Sequence, residues 1–204
     1  NGKLVGYNTD CDGFTMSVKD YPMDGKVLLI GCGGVGRMIA TEALRHGADL
    51  TIGIIPQDRE LVEEFIREAK QTMPDAKVQY AVTADIHDKF DVIINASPVG
   101  MFPKVDACPV SDELIDGADY FFDVIYNPTK TLFLRKALEK DPDFFCGQII
   151  FQKDGYNMAK RTPVAFALGE QLALLQEYGY QVVPVGELLA ESSFADVGRD
   201  EPLF

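Results

Sequence analysis

Apolar positions in this chain fall into two alternating patterns. Short apolar runs occupy residues 27–30, 50–54, 78–82, 91–95, 120–125 and 148–151. Longer stretches between them repeat apolar residues at helical spacing. Val35, Met38, Ile39 and Ala43 form one stripe, with Gly47 placed as a C-terminal stop. Leu61, Val62, Phe65, Ile66 and Ala69 form another within residues 58–72. Helices are also expected at 131–139 and 163–178, the latter with Pro163 in its first turn, where proline is tolerated. Strand alternating with helix predicts an α/β fold on a parallel sheet.

Ligands in such sheets lie beyond the carboxyl ends of the strands. Four places there draw attention: Gly31 onward, Ser97 to Met101, Val124 to Pro128, and Asp154-Gly155. The first carries Gly31-Cys32-Gly33-Gly34-Val35-Gly36 between a strand run and a helical pattern. In that context a G-x-G-x-x-G string signals dinucleotide binding on a Rossmann-type, doubly wound parallel sheet with helices on both faces. Gly31 permits the tight turn, Gly33 lets the backbone approach a pyrophosphate, and Gly36 lets helix and strand pack closely. The helix start supplies free N–H groups and the positive dipole end. The competing reading is a plain tight turn. The chain then divides into an N-terminal segment (1–25), which the family resemblance given below implies is a hinge or linker helix, the nucleotide-binding domain (26–180) and a C-terminal tail (181–204) that ends polar and acidic.

Composition narrows the partners. The 204 residues carry a net charge of −13. Phosphate backbones need clustered Lys and Arg, so nucleic acid is disfavoured, and so is an anionic membrane surface. An anionic cofactor must then be held by local dipoles and a few placed cations. No apolar stretch approaches the roughly 18 residues of a membrane span. Cys11, Cys32, Cys108 and Cys146 form no CxxC pair and no metal-like spacing with His46 or His87, so no metal is expected and a cytoplasmic location with reduced thiols is the simplest account. The chain begins with Asn1 rather than Met, as a domain or processed fragment would.

Several separated segments, taken together, resemble shikimate dehydrogenases. Gly6-Tyr7-Asn8-Thr9-Asp10 with Gly13 is similar to the family's G-x-N-T-D-x-x-G, and the glycine loop has its GxGGxG form. Asn95-Ala96-Ser97-Pro98-Val99-Gly100-Met101 is close to N-A-T-P-x-G-M. Asp123-Val124-Ile125-Tyr126-Asn127-Pro128 with Thr131 is close to D-x-x-Y-x-P-x-x-T, and Asp154-Gly155 with Met158 resembles D-G-x-x-M. The resemblance spans nearly all of residues 3–168. It implies the cofactor-binding domain of an enzyme that interconverts 3-dehydroshikimate and shikimate with NADPH, in aromatic amino acid biosynthesis. It also implies a separate N-terminal substrate domain, absent here, and is compatible with a homodimer.

The resemblance also implies roles. Asn8 and Asp10 would bind substrate, with Asp10 the acid that pairs with the family's catalytic lysine. A Lys/Asp pair can relay the alcohol proton while hydride leaves carbon. Taken alone, Thr9 or Asp10 reads as a cap of the following helix; the other motifs favour the substrate role. The lysine lies upstream in the family, and Lys3 lacks its context, so this chain should hold a cofactor without turning over by itself. Ser97, Pro98, Val99 and Met101 would run over the ribose and nicotinamide; alone, they read as an Asn turn with proline. Val124 would touch the nicotinamide and Tyr126 the substrate, although a lone strand-end tyrosine also packs its ring and leaves the hydroxyl wet. Gly155 would lie against the nicotinamide, or simply turn the chain.

Two departures stand out. Thr162 occupies the place of a substrate-binding glutamine, within Ala159-Lys160-Arg161-Thr162-Pro163. It signals either altered substrate choice or lost activity. The second strand ends in Ile54-Ile55-Pro56-Gln57-Asp58-Arg59, with no acid for the ribose of NAD at the strand end. Arg59 could reach a 2′-phosphate and Asp58 a ribose, or both could belong to the helix start, with Asp58 as N-cap. The missing acid and the family's habit favour NADP, with NAD the alternative. A degenerate cofactor-sensing or oligomerisation relative, a quinate dehydrogenase, and a Rossmann dehydrogenase of the amino-acid or folate type are the competing functional readings.

Overall fold

The computed structural model describes residues 9–128 and 130–140, with the backbone of 146–148, 156–157 and 162–163. The chain divides into two compact units, residues 1–150 and 151–204. The first holds helix α1 (Thr9–Ser17), strand β1 (Lys26–Ile30), α2 (Gly34–Arg45), β2 (Asp49–Ile54), α3 (Arg59–Thr72) and β3 (Lys77–Val82). It continues with β4 (Val92–Asn95), α4 (Asp112–Asp116), β5 (Tyr120–Asp123), α5 (Leu132–Lys140) and β6 (Cys146–Gln148). The strands form one sheet in the order β3-β2-β1-β4-β5-β6. Every pairing in it is parallel. This is the doubly wound Rossmann arrangement, whose strand order reverses between β1 and β4.

Alternate side chains of each central strand feed opposite cores. On one face Val27, Leu29, Leu50, Ile52, Val92, Ile94 and Phe122 meet residues of α1, α2 and α3. On the other, Leu28, Ile30, Ile93 and Phe121 meet α4 and α5. These central strands are covered on both faces, so β1 and β4 read as apolar runs at Val27–Ile30 and Val92–Ile94, whereas β2 is interrupted by Thr51 and Gly53. Phe14 of α1 packs edge-on against Phe122, ring centroids 5.4 Å apart. The segment after α1 is pinned by Tyr21, whose buried hydroxyl donates to the Phe121 carbonyl at 2.9 Å. Tyr21→Phe should cost about 1 kcal/mol, read as a lower urea midpoint at unchanged slope.

Several expected elements shift. A 3-10 turn at Pro56–Asp58 precedes α3, so the helix starts one residue later than expected. Asp58 stands at its N-cap but makes no side-chain cap hydrogen bond. Strand β5 stops at Asp123, because that side chain turns inward to hold the loop. The last strand of the sheet is Cys146–Gln148, earlier than the expected 148–151, in register with Phe121 to Asp123. Val35 is 44% exposed. The stripe that α2 buries is Ile39, Ala40, Ala43 and Leu44, because the first turn projects past the sheet edge.

In the second unit, β7 (Tyr156–Asn157) and β8 (Thr162–Pro163) pair antiparallel, with Asn157 opposite Thr162. Pro163 is thus in a strand rather than in a helix's first turn. A proline lacks the ladder donor and is tolerated in an edge strand. The remainder of the expected helix 163–178, the tail, Asn8 and Gly155 lie outside the described residues.

Candidate nucleotide-binding site

The strand order reverses between β1 and β4, and the loops leaving their carboxyl ends touch. Gly31 has φ of +97°, a conformation that side chains with a Cβ rarely adopt. A Cβ there would lie 3.1 Å from the Ala96 carbonyl oxygen and 3.2 Å from the Ser97 Cα. A Cβ on Gly36 would overlap the Gly31 carbonyl oxygen. These two glycines therefore let the loop fold under α2 and against the loop after β4.

The next part of the loop is open. Gly33 is the N-cap of α2 and offers no side-chain cap, so the first-turn N–H groups have no partner of that kind. Cβ positions on Gly33 and Gly34 meet nothing within 4 Å. A helix N-terminus with a bare glycine approach is suited to a diphosphate. The residues present fit a dinucleotide on this observation. Cys32, within the loop, is buried, and burial pushes its thiol up to about 11, against the opposing charge of Arg37. It is not a nucleophile at neutral pH. Arg37 itself pairs with Glu68 of α3 at 2.8 Å.

The loops after β4 and β5 are set by buried polar side chains. Asn95 and Asp123 end adjacent strands as register partners. Both are fully buried, as is Thr131. The Asn95 amide donates to Asp123 at 3.1 Å and to the Val99 carbonyl at 3.2 Å. Its oxygen accepts from the Ser97 amide at 3.1 Å and the Ser97 hydroxyl at 2.7 Å. Asp123 accepts from the Ile125 amide at 2.9 Å and the Thr131 hydroxyl at 2.7 Å. Thr131 in turn accepts from the Leu134 amide at the start of α5. Burial pushes the Asp123 carboxyl up to about 6, against the pull of these donors.

The expected site residues fall out as follows. Gly31, Gly33, Gly34, Val35, Gly36, Ser97, Pro98, Val99, Met101, Val124 and Tyr126 all lie at the carboxyl edge of the sheet. Val35, Ile55, Val99, Met101, Phe102 and Tyr126 are the exposed large hydrophobics of the described residues, and every one is in a loop or helix start on that edge. Tyr126 is exposed rather than packed inside. The Ser97 hydroxyl is committed inward, donating to Asn95 and accepting from the Val99 amide at 3.3 Å. Arg59 begins α3 near the Tyr80 hydroxyl, which donates to Glu63. Asp10 is exposed in the first turn of α1, where a carboxylate suits the dipole. Thr162 is described only as part of β8.

The roles of Asn95, Asp123 and Thr131 were not legible from the sequence. Asn95 and Asp123 show only as polar residues closing apolar strands, which a turn explains as well, and Thr131 only as a hydroxyl before a helix. Among the described residues no group of His, Cys, Asp and Glu could hold a metal ion, and no helix is long and apolar enough to cross a membrane. A shallow polar cleft lined by Lys26, Asp49 and Gln79 lies at the opposite, amino edge and includes none of these site residues.

No protein-family model matches the chain. Among curated proteins it is 35% identical over 147 residues to "Shikimate dehydrogenase (NADP(+))" of Caldanaerobacter subterraneus subsp. tengcongensis, covering 67% of this chain and 50% of that protein. Among solved structures, a shikimate dehydrogenase in complex with NADP+ is similar at TM-score 0.59 and 28% identity, over 74% of this chain and 52% of that one. The ligand-free 5-ketofructose reductase of Gluconobacter sp. strain CHM43 is similar at TM-score 0.54 and 29% identity, over 74% and 54%. The chain spans about half the length of the curated relatives it matches. By this likeness in sequence and fold, the chain belongs to the shikimate dehydrogenase family.

Proposed function

We propose that this chain is the NADP-binding part of an oxidoreductase that reduces 3-dehydroshikimate to shikimate, reversibly. One observation carries the reading. The uncapped, glycine-approached start of α2 and the exposed apolar side chains converge on the same edge, at the switch point between β1 and β4. When bound, the nicotinamide cofactor supplies the hydride. The diphosphate would lie on the N–H groups of Gly34, Val35 and Gly36. Pro98, Val99, Met101 and Val124 would flank the nicotinamide, joined by Gly155, and Ser97 would shape that loop through Asn95.

By the resemblance, Asp10, Asn8, Tyr126 and Thr162 would be the substrate-binding residues, with Asp10 pairing with a lysine of a substrate-binding domain to move the hydroxyl proton. The relatives' names support NADP. Arg59 is the single cation in residues 54–59, and it would meet the 2′-phosphate. Arg59→Ala should weaken NADP+ about tenfold and NAD+ by less than twofold, measured by calorimetry. Equal affinities for NADP+ before and after would remove Arg59 from the site.

The activity itself is tested by joining the chain to a substrate domain and following NADP+ reduction at saturating shikimate, with quinate and 5-ketofructose chemistry as separate arms. Reduction with shikimate supports the proposal. Turnover in another arm alone would reassign the substrate, and none in any arm would count against an enzyme.

A further inference from the structure

Asp123 serves two loops at once. Through Oδ1 it receives the Asn95 amide, whose other bonds fix Ser97 and Val99, and the Ile125 amide, which fixes the turn carrying Val124 and Tyr126. Through Oδ2 it receives Thr131, which holds the start of α5. A second tie, from the Phe102 amide to the Asn127 carbonyl at 3.0 Å, joins the same two loops farther out. The side-chain bonds of this network run among residues 95–99, 123–125 and 131–134; the loop after β4 also backs onto Gly31, but none of these bonds reaches residues 55–59, where the adenosine half would lie. A fully buried carboxylate is costly, and a strand-end turn alone does not need one.

We infer that Asp123 is a positioning residue for the nicotinamide half of the bound dinucleotide: a buried side-chain acceptor that helps fix the loops after β4 and β5 relative to each other, leaving the adenosine half untouched. The inference rests on the cofactor reading above. It separates Asp123 from a merely structural residue, which would affect both halves of the ligand alike.

The test uses the full chain and two probes, NADP+ and adenosine 2′,5′-bisphosphate, which carries the adenosine half alone. Asp123→Asn should weaken NADP+ by about tenfold to fiftyfold, the scale of a lost charged acceptor, and change the bisphosphate by less than about twofold. Thr131→Val should weaken NADP+ about fivefold, with Thr131→Ser restoring it. The Thr131 pair decides the matter if Asp123→Asn does not fold. Variants that bind both probes as wild type does, or that lose both equally, overturn the inference alone. A wild-type chain that binds neither probe overturns the cofactor reading, and this inference with it.

Discussion

Gly36→Ala should abolish useful NADP+ binding, lowering affinity about a hundredfold. The new Cβ would overlap the Gly31 carbonyl oxygen and lie 3.0 Å from its carbon. Both are backbone atoms, so no side chain can rotate away. The start of α2 or the turn at Gly31 has to move, and Gly31 is itself confined by Ala96 and Ser97. Shifting the helix start that offers the diphosphate its N–H groups loses at least one charge-assisted hydrogen bond, worth roughly 1.5–3 kcal/mol, or up to about a hundredfold in affinity. The same overlap should destabilise the fold by about 2–3 kcal/mol. Gly33→Ala makes the contrast. Its φ is −72° and its Cβ would meet nothing, so stability should hold within about 0.5 kcal/mol while affinity falls. A Gly36→Ala chain that binds NADP+ normally would show that the loop is only a turn.

The second large effect is a pH dependence of stability that originates at Asp123. Burial raises its carboxyl from 3.8 to about 6 in the folded chain. The folded state therefore holds this proton more tightly than the unfolded state does. Between pH 3.8 and about 6 the folded chain binds more protons at this site, so this group's contribution falls as pH rises. The favourable part is fully present below pH 3.8 and gone above about 6. The shift corresponds to roughly 3 kcal/mol. Other carboxylates titrate in the same window, so the comparison is between wild type and Asp123→Asn. Urea unfolding at pH 4, 5, 6 and 7 should show the difference between the two proteins changing by that amount across the window. Parallel pH profiles would contradict the assignment.

The scaffold was readable because the sheet is dry on both faces. Leu28 and Leu29 point to opposite cores, yet both must be apolar, so the strand appears as a run. Gly31 and Gly36 were readable because steric demands at the turn admit little else. Helix starts were less so. Val35 fits the helical stripe by spacing, but the sheet ends beneath it, and no local pattern reports where a sheet ends. The short α4 carries too few residues to show a period, although Ser111 caps it by accepting from the Leu114 amide. The register of β6 depends on its partners Phe121 to Asp123, not on its own residues.

The site was legible as a set of positions more than as a set of roles. Met101 and Tyr126 are exposed at the carboxyl edge of the sheet. Ser97 has its hydroxyl turned toward Asn95 instead of outward, because Asn95 is buried beside it with an oxygen to satisfy. The pairing of Asn95 with Asp123 spans 28 residues. It follows from strand register, which neither segment contains by itself.

A calorimetric titration of the 204-residue chain with NADP+ and then NAD+ tests the central claim most directly. The account predicts one NADP+ per chain, bound more tightly than NAD+. A chain shown to be folded that takes up neither dinucleotide would contradict it.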